Sequence, residues 1–358
     1  MKLTRARGCL LGLAAGDALG RPVENLSPEE IARRHGRLTE IEPGKGGTDD
    51  TEYTIFAASL LCRYGPAMTP ADVAREYREQ IIPNIDGPMR GAGFSELGAV
   101  QALRRGLEPP MSGMWHQHGW SDGLAMRAAP YGIFATGDPG EAARLVAVDG
   151  VVSNSVEGVY GGQAVAAAVA VAMTGASPGD VVEAGIAAVP EDSWTSRNLR
   201  AAVSAVAAGS VERLYQAVVV RHYPWTDLAP EAVALAFAGY LMGAGEVEDS
   251  VVSAANLGRD ADTTAAIAGA LAGAGRGEIA VPERWAREIG PVTGRCLPVV
   301  AGRHVLDVAT ELVAATENRA AGGARGRAVA GARPAAGVPE RAVAVDRSAG
   351  SSRSRSEG

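Results

Sequence analysis

The sequence predicts an all-α fold. Three observations carry this: long Ala-rich stretches of helix-forming residues, a Pro recurring at the start of such stretches, and few alternating β-branched runs between tight turns. Composition agrees. Of 358 residues, 47% are hydrophobic, enough for a sizeable core, yet only 5% are aromatic. Ala and Gly fill the difference. Small residues let helices approach closely, so a tightly packed helical body is expected.

Taken in order, residues 3–15 read as a first, small-residue helix, followed by Gly16-Asp17-Ala18-Leu19-Gly20-Arg21-Pro22-Val23-Glu24. An Asp in an apolar stretch must be paired or hydrogen-bonded, so Asp17 reads as structural. Glu24, on the loop after the helix, is the freer carboxylate and a candidate acid/base. Ser27-Pro28-Glu29-Glu30 offers an N-cap, a Pro at the first helical position and a capping-box Glu, and Gly36 ends that short helix. Thr69-Pro70-Ala71-Asp72 opens another, with Val73, Tyr77 and Ile81 along one stripe. Asp138-Pro139, Ser177-Pro178, Ala229-Pro230 and Val281-Pro282 repeat the device. The stretches 161–173, 194–208 and 229–242 read as buried helices rather than strands. One domain over residues 1–318 follows. Residues 319–358 are Ala, Gly, Arg, Pro and Ser with little to bury, and read as a disordered tail.

A net charge of −7 argues against a general nucleic-acid binder. Cys9, Cys62 and Cys296 lack CxxC spacing and read as reduced core thiols, with no zinc or disulfide framework. No signal peptide or membrane-spanning run is visible, so a cytoplasmic protein with no membrane partner is expected. The sequence leaves the oligomeric state open.

Two acidic clusters carry the chemistry: Gly47-Thr48-Asp49-Asp50-Thr51 and Asn256-Leu257-Gly258-Arg259-Asp260-Ala261-Asp262-Thr263. Each precedes a helical stretch. The plain alternative for each is capping, because Asp and Thr favour the positive end of a helix. Crowded carboxylates, however, raise one another's pKa unless a cation neutralises them, and a hard divalent cation takes oxygen ligands. If the clusters meet, they form an oxygen-rich metal site. The spacing is not that of an EF-hand. Asn256 with Gly258 marks a turn needing unusual backbone angles. Ser121-Asp122-Gly123 is a turn, read either as an N–H nest for phosphate or as an ordinary loop. His116 and His118 lack the third His or Cys that would make a metal site of them.

In order, these segments resemble the ADP-ribosylglycohydrolase family: Arg7 to Gly12 through Gly16-Asp17-Ala18-Leu19-Gly20 to Glu24; Thr48-Asp49-Asp50-Thr51; Ser121-Asp122-Gly123 through Met126-Arg127 to Pro130; and Asn256 through Asp260-Ala261-Asp262-Thr263 to Gly269. The resemblance implies an all-α fold with a central binuclear cleft holding two Mg²⁺, with Mn²⁺ as a substitute. Thr48, Asp49, Asp50, Asp260, Asp262 and Thr263 would be the ligands. A metal-activated water would attack the anomeric carbon of a ribosyl N-glycoside, and Glu24, Asp50 or Asp260 would handle the proton. Ser121, Asp122, Gly123, Met126, Asn154 and Arg259 would face the substrate. Three positions depart from the family pattern. Arg259 stands where a second Gly is usual, Asp122 where Asn is usual, and Asn154 where His is usual. Glu157-Gly158-Val159-Tyr160-Gly161 is similar to one branch of the family. Retained ligands with altered loops imply retained hydrolysis on a changed leaving group or sugar appendage.

Three function classes compete on these residues. One is a Mg²⁺-dependent hydrolase acting on protein-linked ADP-ribose or on a small nucleoside, nucleotide or NAD-derived compound. The second is a non-catalytic ADP-ribose or nucleotide binder. The third is a structural helical protein whose acidic turns only cap helices.

Overall fold

The computed structural model describes residues 1–85, 93–221, 223 and 225–330, the side chains of 318–330 excepted. Its described residues form α-helices joined by short 3₁₀ and π turns; among them there is no strand, only one isolated bridge between Ser121 and Leu228. The all-α expectation holds.

Several helix starts behave as the sequence requires. Ser27 accepts from Glu30 N and closes a full capping box on helix Pro28–His35, which stops at Gly36 with φ +68°. Thr69 does the same with Asp72 on helix Pro70–Glu76; the next turn, Tyr77–Ile81, is a π turn, and Val73, Tyr77 and Ile81 are buried. Asp138 and Ser177 cap helices Pro139–Gly150 and Pro178–Ala187. Pro282, by contrast, is the N-cap of the four-residue helix Glu283–Ala286 rather than its first residue. The stretches read as buried helices are helices Glu157–Ala172, Trp194–Ala207 and Ala229–Met242.

The first helix is longer than expected. It runs Lys2–Gly20, so Asp17 lies inside it and not after it. Gly8, Gly12, Gly16 and Gly20 recur every four residues and so share one face. That face lies antiparallel on helix Ala261–Arg276. A Cβ added at Gly20 would stand 2.3 Å from Ala261 O, at Gly16 2.1 Å from Ala265 O, and at Gly8 2.6 Å from Gly273 O. Backbone therefore rests on backbone, closer than side chains would allow. This contact fixes the end of one helix against the start of the other and brings Asp17 beside Asp262.

Around that pair the remaining helices pack in layers. Helix Val247–Ala255 lies on Ala261–Arg276, Ala229–Met242 contacts both, and Glu157–Ala172 packs against Pro139–Gly150 and Pro178–Ala187. Met1–Asn318 pack as one unit. The last helix is Val305–Ala330, and the rest of the expected tail, 331–358, lies outside the described residues. Among the described residues no helix is long and apolar enough to cross a membrane.

Candidate active site

Helix Asp49–Tyr64 and helix Ala261–Arg276 both start at one cavity, so two positive helix ends face the same space. Thr263 Oγ1 donates to Asp50 Oδ1 at 3.0 Å, joining the two acidic clusters across 213 positions of sequence. Asp17 reaches in from the first helix. It accepts from Thr48 N at 2.8 Å, from Thr51 N at 3.1 Å and from Thr51 Oγ1, and so holds the turn that presents Asp49 and Asp50. These bonds fit the structural role read for Asp17. In addition, one carboxylate oxygen each from Asp17, Asp50 and Asp262 lie within 4.8 Å of one another. Asp17 thus belongs to the same carboxylate group as the clusters, beyond the structural role read for it.

The cavity has a volume of about 600 Å³. Among the described residues eight carboxylates line it: Glu24, Asp49, Asp50, Glu52, Asp122, Asp227, Asp260 and Asp262. Burial, then neighbouring carboxylates, push Asp49, Asp50, Asp122 and Asp262 well above the usual carboxylate range. Burial and Asp260 raise Glu24, partly offset by Asn25 Nδ2 donating to Glu24 Oε1 at 3.0 Å. Asp227 is pushed up to about 7, again chiefly by burial and then by Asp260. Asp227, Glu52 and Phe94 are wall residues the sequence did not single out; Glu52 directly follows the Thr48-Asp49-Asp50-Thr51 cluster, whereas Asp227 and Phe94 come from segments with no motif around them.

Among the described residues, five buried side-chain oxygens on this lining have no hydrogen-bond partner: Thr48 Oγ1, Asp50 Oδ2, Ser121 Oγ, Asp122 Oδ2 and Asp262 Oδ1. Orphaned buried oxygens are rare and costly. Here they are hard donors in a site with excess negative charge, which fits a divalent cation of the oxygen-binding class. Thr48, Asp49, Asp50, Asp260, Asp262 and Thr263 all line the cavity, as do Glu24, Ser121, Asp122, Gly123 and Met126. His116 and His118 do not line it, and His118 stacks on Phe94 with ring centroids 4.7 Å apart.

Two expected substrate-facing residues stand elsewhere. Asn154 is buried behind the cavity, where its amide donates to Ser121 O at 3.0 Å and so props the 119–123 loop. Arg259 turns away and pairs through Nε with buried Glu231 at 2.5 Å, not with Asp260. Its backbone explains the direction. Gly258 and Arg259 are both left-handed, with φ +68° and +63°, and Arg259 N and O bond Leu26 O and Asn25 N. In the 121–123 turn, Ser121 N donates to His118 O and Asp122 N to Asp227 O.

An all-α body that gathers these oxygen donors at two helix starts defines the class, and comparison with known proteins gives the family. Residues 1–322 match the family model described as ADP-ribosylglycohydrolase. The chain belongs to that family, whose members are hydrolases of glycosidic bonds. An uncharacterized protein of Archaeoglobus fulgidus is 31% identical over 288 residues, covering 78% of this chain and 89% of the relative. ADP-ribosylarginine hydrolase Tri1 of Pseudomonas putida is 27% identical over 298 residues, 80% of this chain and 74% of the relative. ADP-ribosylhydrolase ARH3 of Homo sapiens is 27% identical over 332 residues, 79% and 88% respectively. A solved structure titled ADP-ribosylglycohydrolase-related protein complex superposes with a TM-score of 0.60 at 25% identity, covering 88% of this chain and 98% of that one.

Proposed function

We propose that this protein is a Mg²⁺-dependent hydrolase that cleaves the bond between an ADP-ribosyl, or related ribosyl, C1 and a nitrogen leaving group. The observation that carries this reading is the meeting of both acidic clusters and Glu24 on one cavity, with buried oxygens left unpartnered. Capping alone would not leave Asp50 Oδ2, Asp262 Oδ1 and Thr48 Oγ1 without partners.

Thr48, Asp49, Asp50, Asp260, Asp262 and Thr263 would hold two Mg²⁺, or Mn²⁺ in their place. The cations, when bound, supply Lewis-acid activation of water and a template for sugar hydroxyls. Glu24 takes the proton of the attacking water; burial and then Asp260 raise it above the ordinary carboxylate value, which makes it a stronger base. The carboxylate floor stabilises positive charge developing at the anomeric carbon. Ser121, Asp122, Gly123 and Met126 form the wall along the sugar. Asn154 acts indirectly, by fixing Ser121.

The substrate is either ADP-ribose linked to a protein side chain, a reading supported by the ADP-ribosylarginine in the Pseudomonas relative's name, or a small nucleotide or NAD-derived compound. Mass spectrometry of products, with Mg²⁺ and with EDTA, decides between them. The panel holds ADP-ribosyl-arginine, ADP-ribosylated protein, NAD, nicotinamide mononucleotide and nucleosides. Mg²⁺-dependent release of ADP-ribose from protein assigns a demodifying enzyme, and release of ribose or ribose phosphate from small compounds alone assigns a metabolic one. ADP-ribose binding without any turnover would leave a binding protein and refute hydrolysis.

A further inference from the structure

Three of the carboxylates that line the cavity, Glu24, Asp227 and Asp260, arrive on three separate segments. Asn25 bonds to all three segments. Its Nδ2 donates to Glu24 Oε1 at 3.0 Å. Its Oδ1 accepts from Thr226 Oγ1 at 2.6 Å, one residue before Asp227. Its main-chain N donates to Arg259 O at 2.7 Å, one residue before Asp260.

The backbone makes the third contact possible. Asn25 and Arg259 are both left-handed, with φ +65° and +63°. Residues other than glycine seldom enter that region, and Asn tolerates it best. In return, Arg259 N donates to Leu26 O at 2.9 Å. A Cβ on Gly258 would stand 2.2 Å from that same oxygen. The 24–26 and 258–260 turns therefore rest main chain on main chain, and the Asn25 side chain leaves this bridge in a fixed direction.

The amide fits its two partners in one sense. An ionised carboxylate only accepts, so Nδ2 faces Glu24 and Oδ1 is left to accept from the Thr226 hydroxyl. An Asp here would set a second carboxylate against Glu24, and a Gly would hold neither partner. Glu24 needs holding, because Asp260 and Asp17 repel its carboxylate and an unheld side chain turns away from the floor.

We infer that Asn25 is a positioning residue: fixed between Thr226 and the Arg259 backbone, it holds the Glu24 carboxylate in the cavity wall. This inference rests on the reading of Glu24 as the base and adds what aims it. Arg259 takes part through its main chain, while Glu231 takes up its charge.

The test uses the full chain in Mg²⁺ with ADP-ribosyl-arginine and the rest of the substrate panel. Asn25→Gly keeps a backbone free to be left-handed and removes the amide, and Thr226→Val keeps the shape and removes the hydroxyl. Asn25→Gly is expected to lower kcat about tenfold, the scale of one lost charge-assisted hydrogen bond, and Thr226→Val about threefold. KM and Mg²⁺ affinity should stay within about twofold of wild type. In a Glu24→Gln background Asn25→Gly should lower the rate no further, because residues that act as a unit are not additive. An equal loss in both backgrounds marks a general structural effect and overturns the inference. Crystal structures give a reading that needs no turnover: Glu24 should sit against Asn25 in the wild type and leave that place in Asn25→Gly. Glu24 placed alike in both overturns the inference whatever the rates. Displaced Glu24 in a chain that hydrolyses nothing, or whose Glu24→Gln variant is fully active, keeps the positioning and sinks the reading of Glu24 as the base. A rate that falls with Glu24→Gln but ignores Asn25→Gly does the reverse.

Discussion

Gly12 and Gly269 face each other backbone to backbone. A Cβ on Gly12 would stand 2.3 Å from Gly269 O, and a Cβ on Gly269 would stand 2.1 Å from Gly12 O. No side-chain rotation relieves either clash, so the two helices would have to separate. Gly12→Ala is expected to destabilise the fold by about 2 kcal/mol or more. Gly275→Ala, on the same partner helix but facing open space, should instead be neutral or stabilise by about 0.5 kcal/mol. Urea denaturation of the two variants checks this. Equal stabilities would mean the close approach carries no weight.

The crowded floor predicts opposite effects of one substitution with and without metal. In EDTA, Asp50→Asn should raise the melting temperature, because it removes a buried carboxyl that must either take up a proton or carry charge beside its acidic neighbours. With Mg²⁺ the wild type should gain about 2.7 kcal/mol at a hundred times its Kd, and the variant should gain much less. Asp50→Ala and Asp260→Ala should both abolish turnover and weaken metal binding. Full activity in both would remove the two clusters from the mechanism.

Stability of the metal-free protein should fall as pH rises. Asp227 has an ordinary value of 3.8 and sits at about 7 in the fold. Between those values the folded state holds a proton that the unfolded state has lost, so stability is greatest below 3.8 and declines up to about 7. Asp49, Asp50, Asp122 and Asp262 shift in the same direction. Thermal melts in EDTA from pH 5 to 8 should show the slope, Asp227→Asn should flatten part of it, and Mg²⁺ should reduce it. A metal-free protein whose stability rises with pH over this window would contradict the account.

Glu24→Gln should lower kcat by about 10²–10⁴ while leaving Mg²⁺ affinity and KM within a few-fold of wild type. Steady-state kinetics alongside metal titration separate this from a ligand role, in which metal affinity would fall too.

Arg259→Ala tests the reassignment of that residue. Removing the guanidinium leaves Glu231, fully buried, without its cation, at a cost of about 3 kcal/mol. KM for phosphorylated substrates should not change. A raised KM with unaltered stability would return Arg259 to the substrate.

The sequence by itself determined the helical class, because capping boxes and Pro-first starts act within a few residues. Ser27, Thr69, Asp138 and Ser177 all cap where their local chemistry says. It also pointed to both acidic clusters, since a run such as Thr48-Asp49-Asp50 is anomalous wherever it lies. Tertiary structure alone decided which residues share the cavity. Asp17 joins the carboxylate group because a glycine face every four residues lets two backbones touch, a pairing that joins helix Lys2–Gly20 to the distant helix Ala261–Arg276. Asn154 and Arg259 leave the cavity because partners distant in sequence, Ser121 O and Glu231, claim their polar groups. Asp227, Lys45 and Arg295 enter it on loops with no motif of their own, held by contacts such as Glu52 to the 295–297 backbone. Such contacts join positions 243 residues apart and more, and nothing in either segment specifies the other until the fold brings them together.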